Sequence, residues 1–232
     1  MKMNKLGAAV MTATIAMSGV TAVSAHEAGD IIVRAGVATV EPKDSQQNDI
    51  HILTGMGAES NIAVGNDTQL GLNFVYMLSD NLGVELLAAT PFEHDIQVTL
   101  AGTGVGLDGT HDVGSTKHLP PTVSLQYYML DKDSKVRPYA GVGLNYTWFF
   151  DENDGANFDD LDLDDSMGLA FNLGVDVMVT DNILVNASMY HIDIDTEATV
   201  KLDQSLPLGG VQLQADVDID PMVYMVSVGY KL

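Results

Sequence analysis

Met167-Gly168-Leu169-Ala170-Phe171-Asn172-Leu173-Gly174-Val175-Asp176-Val177-Met178-Val179 is the stretch that decides how this chain folds. Met167, Leu169, Phe171, Leu173, Val175, Val177 and Val179 share one parity, and Gly168, Ala170, Asn172, Gly174, Asp176 and Met178 share the other. Successive side chains of an extended chain point to opposite faces, so the run reads as a strand with one unbroken apolar face. The same pattern recurs at 68–78, where Leu70, Leu72, Phe74, Tyr76 and Leu78 oppose Gln69, Gly71, Asn73, Val75 and Met77. At the end of the chain Met222, Tyr224, Val226, Val228, Tyr230 and Leu232 oppose Ser227, Gly229 and Lys231.

Eight such stretches can be counted, at roughly 29–40, 68–78, 82–92, 117–130, 137–150, 167–179, 183–195 and 217–232. Ser79-Asp80-Asn81, residues 131–136 and Thr180-Asp181-Asn182 connect them tightly, whereas 41–67, 93–116, 151–166 and 196–216 are long. Three short and four long connections are what eight up-and-down strands give when both ends lie on one side. The expected fold is an eight-stranded antiparallel up-and-down transmembrane β-barrel with four long external loops and three short periplasmic turns. Closing it requires the C-terminal strand to pair with the first.

Alternation alone also fits a soluble barrel or sandwich with the apolar face turned inward. The second face decides against that. A solvated surface carries Lys, Glu and Arg, yet here it supplies Gly36, Gly71, Gly83, Gly141, Gly143, Gly168, Gly174 and Gly229 with Asn73, Asn145, Asn172 and Gln126. Small, uncharged groups suit a crowded lumen. Arg34, Glu85 and Asp176 fall on the same face, where they are expected to pair inside the barrel. Tyr76, Tyr127, Tyr128, Tyr139 and Tyr230 near the short turns, and Phe92, Trp148, Phe149 and Phe150 near the long loops, are expected to form two interfacial girdles.

The N-terminus agrees with export. Lys2 and Lys5 precede an apolar stretch over 6–23 and the small-residue site Val23-Ser24-Ala25, so residues 1–25 read as a cleaved signal peptide and 26–232 as a single barrel domain. The 232-residue chain has a net charge of −22, and residues 1–25 contribute two lysines and no acid. So acidic a chain repels nucleic-acid phosphates. With no cysteine it has neither disulfides nor thiolate metal sites.

Several runs resemble the outer membrane protein W (OmpW) family: His26-Glu27-Ala28-Gly29-Asp30, Arg34-Ala35-Gly36, Thr68-Gln69-Leu70-Gly71-Leu72 and Gly83-Val84-Glu85-Leu86-Leu87-Ala88-Ala89-Thr90-Pro91-Phe92. Further on come His118-Leu119-Pro120-Pro121-Thr122, Arg137-Pro138-Tyr139, Asn145-Tyr146 and Asp193-Ile194-Asp195-Thr196, in the same order from end to end. The departures are the unusually acidic long loops and Leu232, where such barrels commonly end in Phe. The resemblance implies a narrow channel through which small hydrophobic molecules cross the outer membrane, with loops able to serve as receptors. The alternative is a structural or adhesive barrel with a plugged lumen and partner-binding loops.

Eight strands enclose a space that side chains nearly fill, so a wide pore is not expected. Leu53, Leu87, Met178 and Tyr190 are the candidates for a channel lining or constriction on the long-loop half, with plugging as the plainer role. Pro91, Pro120 and Pro121 cannot donate to a ladder and mark either a lateral gap or ordinary strand ends. The acids of 151–165 offer oxygen ligands to divalent cations, although their spacing is not that of an EF-hand and a solvated charge cluster is the plainer reading. None of His26, His51, His94, His111, His118 and His191 sits in a nucleophile or metal motif, so neither an enzyme nor a cofactor is expected. The partners expected are outer-membrane lipid and small hydrophobic solutes. Strand pattern alone sets no number of copies.

Overall fold

The computed structural model describes residues 25–43, 50, 58–206 and 208–232. The signal-peptide reading of 1–25 therefore lies outside the described residues except for Ala25, and Leu53 lies outside them entirely. The described residues form fourteen strands: β1 (Ile31–Glu41), β2 (Glu59–Val64), β3 (Asp67–Ser79), β4 (Leu82–Ala89), β5 (Phe92–Ala101), β6 (Gly109–Leu119), β7 (Thr122–Tyr128), β8 (Val136–Asp154), β9 (Phe158–Leu163), β10 (Ser166–Met178), β11 (Ile183–Ile192), β12 (Asp195–Leu202), β13 (Gln212–Asp218) and β14 (Met222–Lys231).

Eight of them close on themselves. The circuit runs β1, β3, β4, β7, β8, β10, β11, β14 and back to β1, every pairing antiparallel. Closure is by β14 on β1, from Ile32 opposite Lys231 to Glu41 opposite Met222, and the Leu232 amide donates to the Ile31 carbonyl at 2.8 Å. The barrel thus has no free edge between its first and last strands, as the reading of the C-terminus required.

Sidedness follows the parity. Val226 is 64 % exposed and its neighbour Ser227 only 3 %, so the apolar parity points out and the small polar one points in. Inside, Gly174 faces the ring of Tyr139: a Cβ there would stand 2.3 Å from the ring carbon Cζ. The lumen is filled by side chains that glycine admits.

Two short turns explain their Asp-Asn pairs. The Ser79 hydroxyl accepts from the Asn81 and Leu82 amides, while Asn81 Nδ2 donates across to the Tyr128 and Leu130 carbonyls. Thr180 does the same for Asn182 and Ile183, and Asn182 Nδ2 reaches the Lys231 carbonyl. Each Asn satisfies a carbonyl of the neighbouring strand at the base, where the ladder ends.

The long connections differ from the expectation of loops. They fold as strands and build an extension above the barrel. β2 pairs with β5, β5 with β6, and β6 with the upper end of β8, from Gly114 opposite Asp154 to Leu119 opposite Trp148. β9, β12 and β13 form a second, three-stranded sheet. The acids of 151–165 do not mark a loop: Asp151, Glu152 and Asp154 end β8, and on β9 Asp160 and Asp162 are exposed beside buried Phe158, Leu161 and Leu163. Likewise 82–92 and 117–130 are each two strands. Pro91 separates β4 from β5, and Pro120 with Pro121 separates β6 from β7. The β4–β7 ladder ends at Leu87 opposite Thr122, so Ala88 and Ala89 have no partner on β7.

The girdles also need correction. Tyr128, Tyr139, Phe92 and Phe149 are buried inside, and the outward aromatics are Tyr76, Tyr127 and Tyr230 near the base, Tyr146, Trp148 and Tyr224 near the extension, and Phe74 and Phe171 between them. Parity, not proximity to a strand end, assigns each ring its side: Tyr127 and Tyr128 are neighbours and face opposite ways.

If the apolar parity meets lipid, a charge placed on it at mid-strand is costly. Leu173→Arg, on β10, should lower the unfolding free energy by about 2–4 kcal/mol in urea titrations of barrel refolded into lipid vesicles.

Candidate functional site

The base of the barrel is filled by a charged network. Arg34 from β1, Glu85 from β4 and Asp176 from β10 are each fully buried. Arg34 Nη1 donates to Glu85 Oε2 at 3.2 Å, and its Nη2 donates to Asp176 Oδ2 at 2.5 Å and to the Tyr128 hydroxyl at 2.9 Å. Glu85 also accepts from Asn73 Nδ2 at 2.8 Å and from the Tyr190 hydroxyl at 3.1 Å. Asp176 accepts from Asn186 Nδ2 at 2.8 Å, and His26 Nε2 lies 2.8 Å from it. Buried carboxylates persist only when each is met by donors of this kind.

A second buried arginine completes the floor. Arg137 donates from Nη1 to the His26 carbonyl at 3.2 Å and from Nη2 to the Asp80 carbonyl at 2.7 Å. The two guanidinium groups lie over tyrosine rings, Arg34 at 5.4 Å from the centre of Tyr139 and Arg137 at 5.3 Å from that of Tyr128. Sequence reading brought out Arg34, Glu85 and Asp176, and the structure brings the three together. It missed Arg137, Tyr128, Tyr139 and His26. Arg137 and Tyr139 were findable, because they share the parity of Gly141, Gly143 and Asn145; His26 precedes the first strand and has no parity to read.

Above the floor lies a narrow apolar cavity of about 60 Å³. Val40 of β1, Phe149 of β8, and residues of β2, β5, β6, β9, β12 and β13 wall it, so the extension and the three-stranded sheet both contribute. Of the lining residues only His94, Thr116, His118 and Gln214 carry polar side chains. That lining, apolar with a few placed polar groups, has the character of a small-molecule site.

The four lining candidates separate. Leu87 and Tyr190 are buried in the apolar cluster that continues into the cavity wall, beneath rather than among the cavity's own lining residues. Tyr190 joins the two levels, its ring in that cluster and its hydroxyl on Glu85 and within 2.9 Å of Asn73 Nδ2. Met178 does not belong with them. It sits opposite Leu184 beside a short turn, in the basal cluster with Met77, Tyr128 and Tyr139, because β10 runs downward from Ser166. Leu53 lies outside the described residues.

The acids of 151–165 are spread rather than gathered. Asp160 meets Lys201, Asp165 accepts from the Tyr146 hydroxyl, Asp154 accepts from the Leu161 amide, and Asp151 meets Lys117. Among the described residues no three His, Asp or Glu side chains stand as a metal-binding group.

Two histidines line the cavity wall. The rings of His94 and His118 are stacked, 4.9 Å between centres and 15° apart, with Phe92 and Phe149 packed on them. Asp95, next to His94, faces outward, so the adjacent His-Asp pair of the sequence is no pair in space. His94 Nδ1 lies 2.5 Å from the Gly65 carbonyl, which fixes the proton on that nitrogen. Burial pushes both imidazoles down, His118 to about 3 by its own burial and then by its neighbour His94.

A closed circuit of eight strands with an apolar outer belt, a filled base and an outward-facing cavity defines a small outer-membrane β-barrel. The OmpW family matches residues 27–232. Outer membrane protein W of Vibrio cholerae serotype O1 is 45 % identical over 214 residues, covering 90 % of this chain and 91 % of the relative. Outer membrane protein W of Escherichia coli K12 is 44 % identical over 234 residues, 99 % of this chain and 100 % of the relative. Among solved structures, the crystal structure of OprG from Pseudomonas aeruginosa superposes with a TM-score of 0.77 at 42 % identity, covering 90 % of this chain and 99 % of that one. The chain belongs to the OmpW family, and its place is the outer membrane.

Two outcomes follow. Arg34→Met removes the cation between two buried carboxylates and should cost about 3–5 kcal/mol in vesicle-based urea unfolding, with Glu85→Gln in the same chain restoring part of the loss. His118 should stay neutral by imidazole NMR until the pH nears 3. An unfolded chain takes up that proton near 6.5 and the folded one only near 3, so the extension loses stability as pH falls through that window and keeps it above. Protection factors of the β5 and β6 amides, corrected for intrinsic exchange, should fall across the same range.

Proposed function

We propose that the barrel carries small hydrophobic molecules across the outer membrane, taking them into the outer apolar cavity and releasing them sideways into lipid rather than straight through the base. The observation that carries this reading is the near absence of polar groups from the lining of a cavity that stands over a floor of buried charge. An apolar solute gains by entering the cavity and has no comparable gain in crossing Arg34, Glu85 and Asp176.

The wall offers a way out. Above Leu87 and Thr122 the β4–β7 ladder has ended, and Pro91, Pro120 and Pro121 supply no amide with which to continue it. Leu87 stands at that point, buried beside Phe92 in the same apolar cluster. The filled base equally suits a closed barrel whose outer sheets bind a partner, and one measurement separates the two. Liposomes containing the protein should take up a small apolar compound faster than protein-free liposomes, and Leu87→Trp, which fills the passage, should return uptake toward the protein-free rate. Uptake by the unaltered barrel no faster than that of empty liposomes would leave only the closed, partner-binding reading.

A further inference from the structure

We infer that the outer cavity selects hydrocarbons bearing a single uncharged hydroxyl group, alcohol or phenol, and that His94 and His118 hold that group. The inference rests on the reading of the cavity as a solute site and names which solutes it takes. A cavity built only to hold hydrocarbon has no use for imidazoles, yet two are set in this wall at 3 % and 5 % exposure.

Their unused atoms define the group they want. His94 donates from Nδ1 to the Gly65 carbonyl, which leaves Nε2 as a bare acceptor, buried and without a partner. His118 has no hydrogen bond through either ring nitrogen that the structure provides, and its Nδ1 is buried and unpartnered. A neutral imidazole has one donor and one acceptor, so His118 brings an N–H that nothing takes up. The pair therefore offers one acceptor of fixed identity and one free donor. A hydroxyl is the complement of both: its O–H donates to His94 Nε2 and its oxygen accepts from His118. A pure hydrocarbon leaves these atoms orphaned, which buried polar groups tolerate poorly. A carboxylate fits no better, since burial holds both rings neutral and Asp67 and Asp95 lie close enough to act on His94. The Phe92 and Phe149 rings flank the stack and leave the tail an apolar surface.

The test uses the full chain in lipid nanodiscs, because detergent tails would compete for the cavity, with 1-octanol and n-octane as probes. Methyl signals of Ile96 and Val98, both in the lining, report entry of either probe. Imidazole nitrogen shifts of His94 and His118 report the hydroxyl. The expected result is that both probes move the methyls and only octanol moves His94 Nε2, toward the hydrogen-bonded acceptor range. The preference for octanol over octane should fall about tenfold in His94→Phe, the value of one good buried hydrogen bond. If both probes move the methyls while octanol leaves the imidazole nitrogens where octane does, the hydroxyl lies elsewhere and the inference is overturned with the cavity reading intact. If neither probe moves the methyls, the cavity does not take such solutes, and the proposed function falls together with the inference.

Discussion

A peptide group in hydrocarbon has no water to bond, so a chain that crosses a membrane as strands must pair every amide and carbonyl with another strand, all the way round. The ladder of β14 on β1 is where that condition is met in this protein. Once the ring is closed, the alternation of side chains has only two destinations, acyl chains or lumen, and each residue's parity assigns it to one of them. Leu173 and Gly174 are adjacent on β10, and their chemistry differs as completely as the media they face.

Closure in turn creates the difficulty that the lumen solves. Eight strands leave too little room for a water column and too much for glycine alone. The space is taken up by long polar side chains whose charges cancel: two arginines set against Glu85 and Asp176, with tyrosines and asparagines supplying the remaining donors. Replacing such a network with apolar packing is often neutral for stability in other proteins, so its presence points to specificity of arrangement rather than to strength. Here it tiles the floor on which the apolar cavity stands, and Tyr190 belongs to both levels.

Much of this was legible in the chain. Period-two alternation over 167–179 and its counterparts gave all eight barrel strands, and the inward parity picked out Arg34, Glu85 and Asp176. What escaped had physical causes. The extension reads as loops because acids usually mark solvent, although Phe158, Leu161 and Leu163 carry the signal of a buried side. Proline breaks made two pairs of strands look like two long ones. Met178 lies at the base and not on the long-loop half because parity gives the face of a strand and not the depth along it. His94 and His118 lie 24 positions apart and meet only through the β5–β6 ladder, a contact that no local pattern announces.

Among the described residues, β8 is the one strand that pairs in both barrel and extension. Its 19 residues pair with β7 and β10 below and with β6 above. At about 3.3 Å per residue its regular part up to Phe150 spans roughly 50 Å, and only above that does the strand bulge at Asp151. It therefore works as a gauge rod. Lengthening any other connection changes only the outline of the outer sheets, but one residue added within β8 above Asn145 would swap Trp148 and Phe149 between lipid and cavity, and the two halves of the molecule would fall out of step.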